Sequence, residues 1–268
     1  MQLLLAALLL ASVFGSQAAD LGGPVSDPRT PALSPDGETV YFVWRGDIWV
    51  KSLDGGSIRC LTLDRSADLH PSCSPDGRHL AFTSRRTGDG DVYVMPSSGG
   101  EAQRLTWHGD MDRVLAWSPE SDSILFASSR EGGEDWVYRV SMHGGTPELV
   151  YPVAAQSFCF QNGSPVVDMG VTSWWRAGYR GSGSSDIWIL KGGSEWSQLA
   201  ARPIDERWPL PLSDGSLVFV ADDGNGVANL WILEEDGTSR MLTDISDGRI
   251  TFPAVSADGS TIAFELSG

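Results

Sequence analysis

The residues that most often carry catalysis are scattered along this sequence rather than grouped. No two histidines have the spacing that places metal ligands on one element, and the odd, uneven set of cysteines fits neither a disulfide framework nor a zinc site. No Gly-x-Ser-x-Gly nucleophile elbow and no phosphate-binding loop occurs. The sequence therefore predicts no catalytic residue, no metal site and no cofactor in this chain. The histidines and cysteines concerned are His70, His79, His108, His143, Cys60, Cys73 and Cys159.

One segment concentrates residue types suited to recognition. Trp174, Trp175, Arg176, Tyr179 and Arg180 fall within seven residues. Trp, Tyr and Arg are the types enriched at binding hot spots. We predict that this segment is a docking loop, and the alternative is a lid that folds back over its own part of the domain.

The charge balance excludes one class of partner. The chain has 35 acidic and 19 basic residues, a formal net charge of -16. Such a surface repels phosphate backbones, so we predict no nucleic-acid partner. The acidic residues are spread along the chain, as in a solubilising surface.

The amino-terminal residues have the pattern of a targeting segment. Residues 3–14 form an apolar run that is too short to span a bilayer but typical of a signal-peptide core. Small residues at Ser16 and Ala18 provide a cleavage site. We predict a signal peptide over residues 1–18 and export to the periplasm or the extracellular space. No later segment is apolar enough to cross a membrane.

A repeat organises the rest of the chain. A Ser-Pro-Asp-Gly segment recurs in full or weakened form, and an Asp-Ile-Trp-like triplet follows each of the first copies, with triplet starts 43 to 50 residues apart. Gly-Gly followed by Leu-Thr closes several units. The turn segments are 31–37, 71–77, 115–119, 212–215 and 253–259, and the triplets start at Asp47, Asp91, Trp136, Asp186 and Asn229.

This period and its turn residues predict the fold. Each unit holds four short strands, because Asp-Gly and Gly-Gly mark hairpins within it. Four strands in a repeat of about 44 residues are typical of a propeller blade. We predict an all-β, six-bladed β-propeller of four-stranded antiparallel blades over residues 19–268, with blades starting near residues 31, 71, 115, 157, 209 and 253. The recurring third-strand aromatics are predicted to pack between blades.

The sixth unit is predicted to be incomplete. It has two strands, near 253–256 and 260–266, and no third-strand triplet. Residues 21–25 could supply one borrowed strand, but the blade would then hold three strands instead of four, and Pro24 and Pro28 would make poor ladder partners. We therefore expect Gly268 not to be the natural end of the protein.

These motifs resemble known propellers. The repeat as a whole resembles the TolB-like propeller repeats. The segment 180–189, preceded by Trp174-Trp175-Arg176 and Tyr179, resembles the N-terminal six-bladed propeller of tricorn protease homologues, as does the segment 91–101. The resemblance covers residues 21–268. It implies a larger protein with a second propeller, a PDZ-like domain and a serine-peptidase core, in which the propellers filter short peptides.

We therefore predict a non-catalytic propeller module of an exported tricorn-type serine protease. It gates peptide access or docks the peptidase domains, and its partners are peptides or the downstream PDZ and peptidase domains of the same protein. The full-length protein is predicted to be a serine peptidase, and whether it forms homo-oligomers is left open. Two alternatives stay open: a free-standing TolB-like periplasmic protein-binding propeller, and the propeller lid of a prolyl-oligopeptidase-like hydrolase.

Overall fold

Strands account for all the regular structure in the part of the chain that is described. The computed structural model describes residues 28–170, 175–176, 181, 183–193, 195–200, 205–222 and 224–267, together with the backbone of 6–9. These ranges form 23 β-strands, and most are joined to the next by a short loop. The predicted signal peptide and the segment 21–25 lie outside them, apart from β1 (Ala6–Leu9).

The strands build five four-stranded antiparallel blades. Blade one contains β2 (Arg29–Leu33), β3 (Thr39–Trp44), β4 (Asp47–Ser52) and β5 (Arg59–Cys60), and blade two contains β6 (Asp68–Cys73), β7 (His79–Ser84), β8 (Asp91–Pro96) and β9 (Gln103–Arg104). Blade three contains β10 (Arg113–Trp117), β11 (Ser123–Ser128), β12 (Trp136–Ser141) and β13 (Glu148–Tyr151). Blade four contains β14 (Ser157–Gln161), β15 (Ser164–Met169), β16 (Asp186–Lys191) and β17 (Glu195–Ala200), and blade five contains β18 (Glu206–Pro211), β19 (Leu217–Asp222), β20 (Ala228–Leu233) and β21 (Ser239–Met241).

The four-stranded antiparallel blade is confirmed, but the number of blades is five and not six. Within the described residues, the sixth unit contributes two neighbouring strands, β22 (Arg249–Val255) and β23 (Thr261–Ser267). In place of a third antiparallel strand, β1 pairs in parallel with β23. β22 adds to blade five through the pairing of Arg249 with Ala228.

The described residues fall into two compact units. The first holds blades one to three together with residues 254–265, and the second holds blades four and five with residues 249–253 and 266–267. In the first unit, the first strands of neighbouring blades pack side by side: β2 lies against β6, and β6 against β10. In the second unit, β14 packs against β18 in the same way. The first strand of each of these blades is therefore the one that meets its neighbour.

Second-strand phenylalanines anchor the core. Phe42, Phe82, Phe126 and Phe219 are fully buried on β3, β7, β11 and β19. Third-strand aromatics pack beside them, as predicted. Tyr93 stacks on Phe82 and joins a cluster with residues of blade one, and Tyr138 stacks on Phe126 in a cluster with residues of blade two.

The Ser-Pro-Asp-Gly segments form the turns between first and second strands. In each complete copy the serine Oγ donates to the aspartate, at 2.5 Å for Ser34–Asp36 and 2.6 Å for Ser74–Asp76. The glycine adopts a positive φ that L-residues disfavour, +71° at Gly37. Neighbouring turns also touch within the first unit, because the Ala257 amide donates to the Pro35 carbonyl.

Candidate functional site

The predicted docking loop leaves the fourth blade from a constricted base in the second unit. A Cβ added at Gly170 would lie 2.5 Å from Ser185 Cα, so the ends of β15 and β16 approach each other as closely as backbone allows. Ser185 is fixed from the other side. Its amide donates to Asp205 at 2.8 Å, and its carbonyl accepts from the Glu206 amide at 2.7 Å. The loop therefore has a rigid stem.

Two of the five predicted loop residues are described, and both are exposed. Trp175 keeps 69% of its surface accessible, and Arg176 is also exposed. Nearer β16, Ser184 closes a turn by donating to the Gly181 carbonyl from both its amide and its hydroxyl. Trp174, Tyr179 and Arg180 lie outside the described residues. An exposed indole beside a guanidinium is a surface on which a partner can gain apolar contact and hydrogen bonds.

The first strands carry a second unusual feature, a bulge with a strained residue. The pairing of first and second strands shifts register in blades one, two, three and five. Thr30 and His70 in the first unit, and Trp208 and Phe252 in the second, hold φ between +44° and +52°. Such a conformation costs a non-glycine residue about 1–3 kcal/mol and is concentrated at functional sites. Sequence reasoning missed these bulges, since no glycine marks them.

In the second unit, the strained residues contact each other. The rings of Trp208 and Phe252 lie 5.0 Å apart at an interplanar angle of 48°. The Trp208 amide donates to Asp168 Oδ2 at 3.2 Å, and the Ser157 amide donates to Asp168 Oδ1. Burial raises the pKa of Asp168, while the nearby Arg207 guanidinium opposes that rise. The carboxylate thus serves to hold two first strands in place.

The three cysteines and His70 are in environments that suppress their reactivity. Burial raises the pKa of the Cys60 thiol to about 11, that of Cys73 to about 12, and that of Cys159 further still. A reactive cysteine needs the opposite shift, since the thiolate is the nucleophile. Burial, together with Arg113 and Arg85, lowers the pKa of His70 to about 3, so this imidazole is neutral at physiological pH.

The described residues contain no group of three or more His, Cys, Asp or Glu side chains arranged to hold a metal ion. Within the same residues, no helix is long and apolar enough to cross a membrane.

Comparison with known proteins agrees with this architecture. The family model described as the tricorn protease N-terminal beta propeller domain matches residues 24–268. The chain belongs to this family. This match confirms the resemblance to tricorn protease homologues drawn from the segments 91–101 and 180–189.

Other relatives match a small part of this chain, or match most of it at low sequence identity. A tricorn protease homologue of Streptomyces coelicolor is 50% identical over 66 residues, which is 24% of this chain and 6% of the relative. The crystal structure of the tricorn protease matches 89% of this chain and 24% of its own, with a TM-score of 0.76 and 21% identity. TolB from Acinetobacter baumannii matches 85% of this chain and 57% of its own, with a TM-score of 0.65 and 22% identity. At these identities the two structures show a shared fold only.

Proposed function

We propose that this chain is the non-catalytic propeller module of an exported tricorn-type serine protease. The observation that carries the proposal is the family match over residues 24–268, nearly the whole chain beyond the proposed signal peptide. The chain spans about a quarter of the tricorn protease structure that it matches. In this proposal, peptide hydrolysis is an activity of the full-length protein, and its catalytic residues lie outside these 268 residues.

The proposed role of the fourth-blade loop is to dock the PDZ and peptidase domains of the same protein. Exposed Trp175 and Arg176 support this role, because a monomer gains little by keeping a large indole in water. The constricted stem at Gly170 and Ser185 supports it too, since a fixed base lowers the entropy lost on binding.

A second role, gating of peptides, has support from the first strands. These strands pack side by side within each unit, and Thr30, His70 and Trp208, which lie on bulged strands, share with Phe252 a positive φ that ordinary strands lack. Propeller blades surround a central channel, and the innermost strands are those that a passing peptide meets. Gating and docking use different residues, so experiment can separate them.

The docking role predicts a loss of binding when the loop aromatics are truncated. We expect the double variant Trp174→Ala, Trp175→Ala to bind the separately produced PDZ and peptidase region at least about 30-fold more weakly, because an anchoring Trp contributes about 2 kcal/mol or more. Isothermal titration calorimetry with the full 268-residue chain measures this change.

The matched control is Trp107→Ala. Trp107 is 65% exposed on blade two, so its removal deletes a similar apolar surface at a different place. We expect this variant to bind like the unmodified chain. Unchanged binding of the double variant, together with a lower melting temperature, would instead establish the loop as a lid on its own blade.

A further inference from the structure

A polar cavity lies between blades one and two in the first unit. Its volume is about 410 Å³, within the range of small-molecule sites. Its walls come from the first turn, the second and third strands and the Gly-Gly loop of blade one, and from the turns of blade two. Hydroxyl side chains predominate in this lining. The lining residues that matter here are Asp36, Thr39, Tyr41, Ser57, Arg59 and Ser98.

The strand register decides which side chains face the cavity. Tyr41 pairs with Val50, and Val50 pairs with Arg59, so these three side chains lie on one face of blade one. Tyr41 and Val50 pack in one cluster with residues of blade two, which identifies this face as the one toward blade two. Lys51 pairs with Val40, whose cluster lies on the opposite face. The charge of this lysine is therefore directed away from the cavity.

The charges on the cavity side cancel. With Lys51 directed away, Arg59 and Asp36 are the charged side chains of the lining. The Arg59 guanidinium donates to the Ser98 carbonyl at 3.3 Å and has no ion-pair partner among the described residues, so further N–H donors are left for a ligand. Asp36 uses Oδ1 within its own turn, and Oδ2 makes no hydrogen bond to the described part of the chain. This balance suits a neutral ligand.

The hydroxyl groups of the lining can both donate and accept. Those of Thr39, Ser57 and Ser98 make no hydrogen bond to another described residue, so they bond to water or to a ligand. Burial and the nearby Cys73 raise the pKa of Tyr41 to about 12, so its phenol keeps its proton at neutral pH. Each hydroxyl of a ligand likewise offers one donor and two acceptor positions, and such groups match these walls.

The Gly-Gly loop leaves space for a ring. Gly55 and Gly56 hold φ of +131° and +95°, and a Cβ at either would meet nothing within 4 Å. The buried Tyr41 and Val50 give the cavity an apolar floor. We propose that this cavity binds a neutral polyhydroxylated ring of monosaccharide size, whose hydroxyls bond to the carboxylate and the guanidinium of the lining. The proposal does not depend on the protease assignment.

The test is a titration of the full 268-residue chain with D-glucose, D-galactose, D-mannose and myo-inositol in turn, followed by amide chemical shifts. We expect at least one of these polyols to give saturable shifts at Gly55, Gly56 and Ser98, with a Kd on the order of 1 mM, as suits a ligand of this size. Tetrahydropyran-2-methanol has a similar ring with a single hydroxyl and should bind at least about tenfold more weakly, because it leaves the polar walls unpaired. The proposal is overturned if none of the polyols gives saturable shifts up to about 100 mM, or if tetrahydropyran-2-methanol binds equally well.

The variant Arg59→Gln assigns the binding to this cavity. Val94 pairs with Gln103 in blade two as Val50 pairs with Arg59 in blade one, so the variant introduces the residue that blade two has at the equivalent position. Because Arg59 is also exposed, we expect an unchanged melting temperature. The affinity for the bound polyol should fall at least about tenfold, since hydrogen bonds from a charged donor are lost.

Two further variants complete the test. Asp36→Asn keeps the oxygen that the turn uses but replaces the one left for the ligand by an NH₂ group, and it should weaken binding several-fold. Arg139→Gln removes an exposed arginine of blade three and should leave the affinity unchanged. Unchanged polyol affinity in both Arg59→Gln and Asp36→Asn would refute the proposal.

Discussion

Arg86 and Arg130 perform the same task in consecutive blades. The Arg86 guanidinium donates to both oxygens of Asp68, at 3.0 and 3.2 Å, and lies over the Tyr93 ring at 4.8 Å. Arg130 pairs with Asp112 at 2.8 Å and lies over Tyr138 at the same distance of 4.8 Å. Each arginine thus neutralises a buried aspartate at the start of the first strand and covers the aromatic ring of the third.

Removing Arg86 should be costly because it leaves a buried charge unpaired. Asp68 is fully buried, and the Arg86 side chain is 24% exposed. We expect Arg86→Ala to lower the free energy of unfolding by about 3 kcal/mol, measured by urea denaturation. Arg139→Ala is the control, since its partnership with Glu148 is exposed on both sides and should contribute less than about 1 kcal/mol. Equal losses in the two variants would contradict this view of Arg86.

For individual residues, the sequence predicts which side chains are buried better than it predicts which charged side chains pair. The third-strand aromatics recur once per blade, and two of them, Tyr93 and Tyr138, lie in the core as that recurrence predicts. Asp68 and Asp112 also recur, each 18 residues before its arginine, but that spacing has a meaning only once three strands are folded together. The strained residues Thr30 and His70 carry no sequence signal, because tertiary packing imposes their conformation.

Among the elements, the first turn of blade one packs its glycine more closely than the first turn of blade two does. A Cβ at Gly37 would lie 3.0 Å from both Ser256 Cβ and Thr261 Oγ1, all within the first unit. In blade two, Gly77 has its nearest neighbour at 3.5 Å. Gly37 is therefore required for two reasons, its backbone conformation and the close approach of the strands formed by residues 254–265.

The two reasons can be separated by comparing glycines of similar conformation. Gly163 has a φ of +77° and nothing within 4 Å of a built Cβ, so Gly163→Ala measures the conformational cost alone, about 1 kcal/mol. We expect Gly37→Ala to cost roughly a further 1 kcal/mol for the displaced contacts. Chemical denaturation of both variants checks this, and a smaller loss for Gly37→Ala would show that residues 254–265 do not pack tightly there.

The blade itself is predictable from sequence, whereas the count of blades is less so. Asp-Gly and Gly-Gly pairs fix the hairpins locally, and in blade two such pairs separate β6 from β7 and β8 from β9. The sixth unit begins with the same Ser-x-Asp-Gly turn, which suggests a blade, but two strands with a parallel neighbour do not make one. The docking loop has no repeat to guide it, so its residues stay a prediction.

At the scale of the whole molecule, we expect a fall in pH to remove the stability that the recurring turns contribute. Hydrogen bonds from serine or threonine hydroxyls lower the pKa of the turn aspartates, so these groups bind protons less readily in the folded state than in the unfolded state. Their contribution to stability is therefore present above the ordinary carboxyl pKa near 4 and is lost as pH falls through the lower folded-state value. The aspartates are Asp36, Asp76, Asp122, Asp214, Asp236 and Asp258.

A single substitution isolates this effect from the general change in net charge. Asp76→Asn keeps an oxygen that accepts from Ser74 and from the Arg78 amide but does not titrate. We expect the stability advantage of the unmodified chain over Asp76→Asn to be largest near pH 6 and to shrink as the pH falls below about 4. Urea denaturation at several pH values measures it, and an advantage that grows on acidification would contradict the assigned shift.

The long-range contacts of blade one can form only late in the synthesis of the chain. The Thr30 amide donates to Glu265, 235 residues further along the chain, and the Pro35 carbonyl accepts from Ala257. At a translation rate of about 5–20 residues per second, the ribosome needs about 12–47 s to add those 235 residues. During that interval the first strand of blade one exists without the neighbour it acquires in the finished unit. Blades four and five, by contrast, form their unit from residues 154–253 and have to wait for only two described residues beyond 265. The part of the chain that is made first is therefore among the last to be completed.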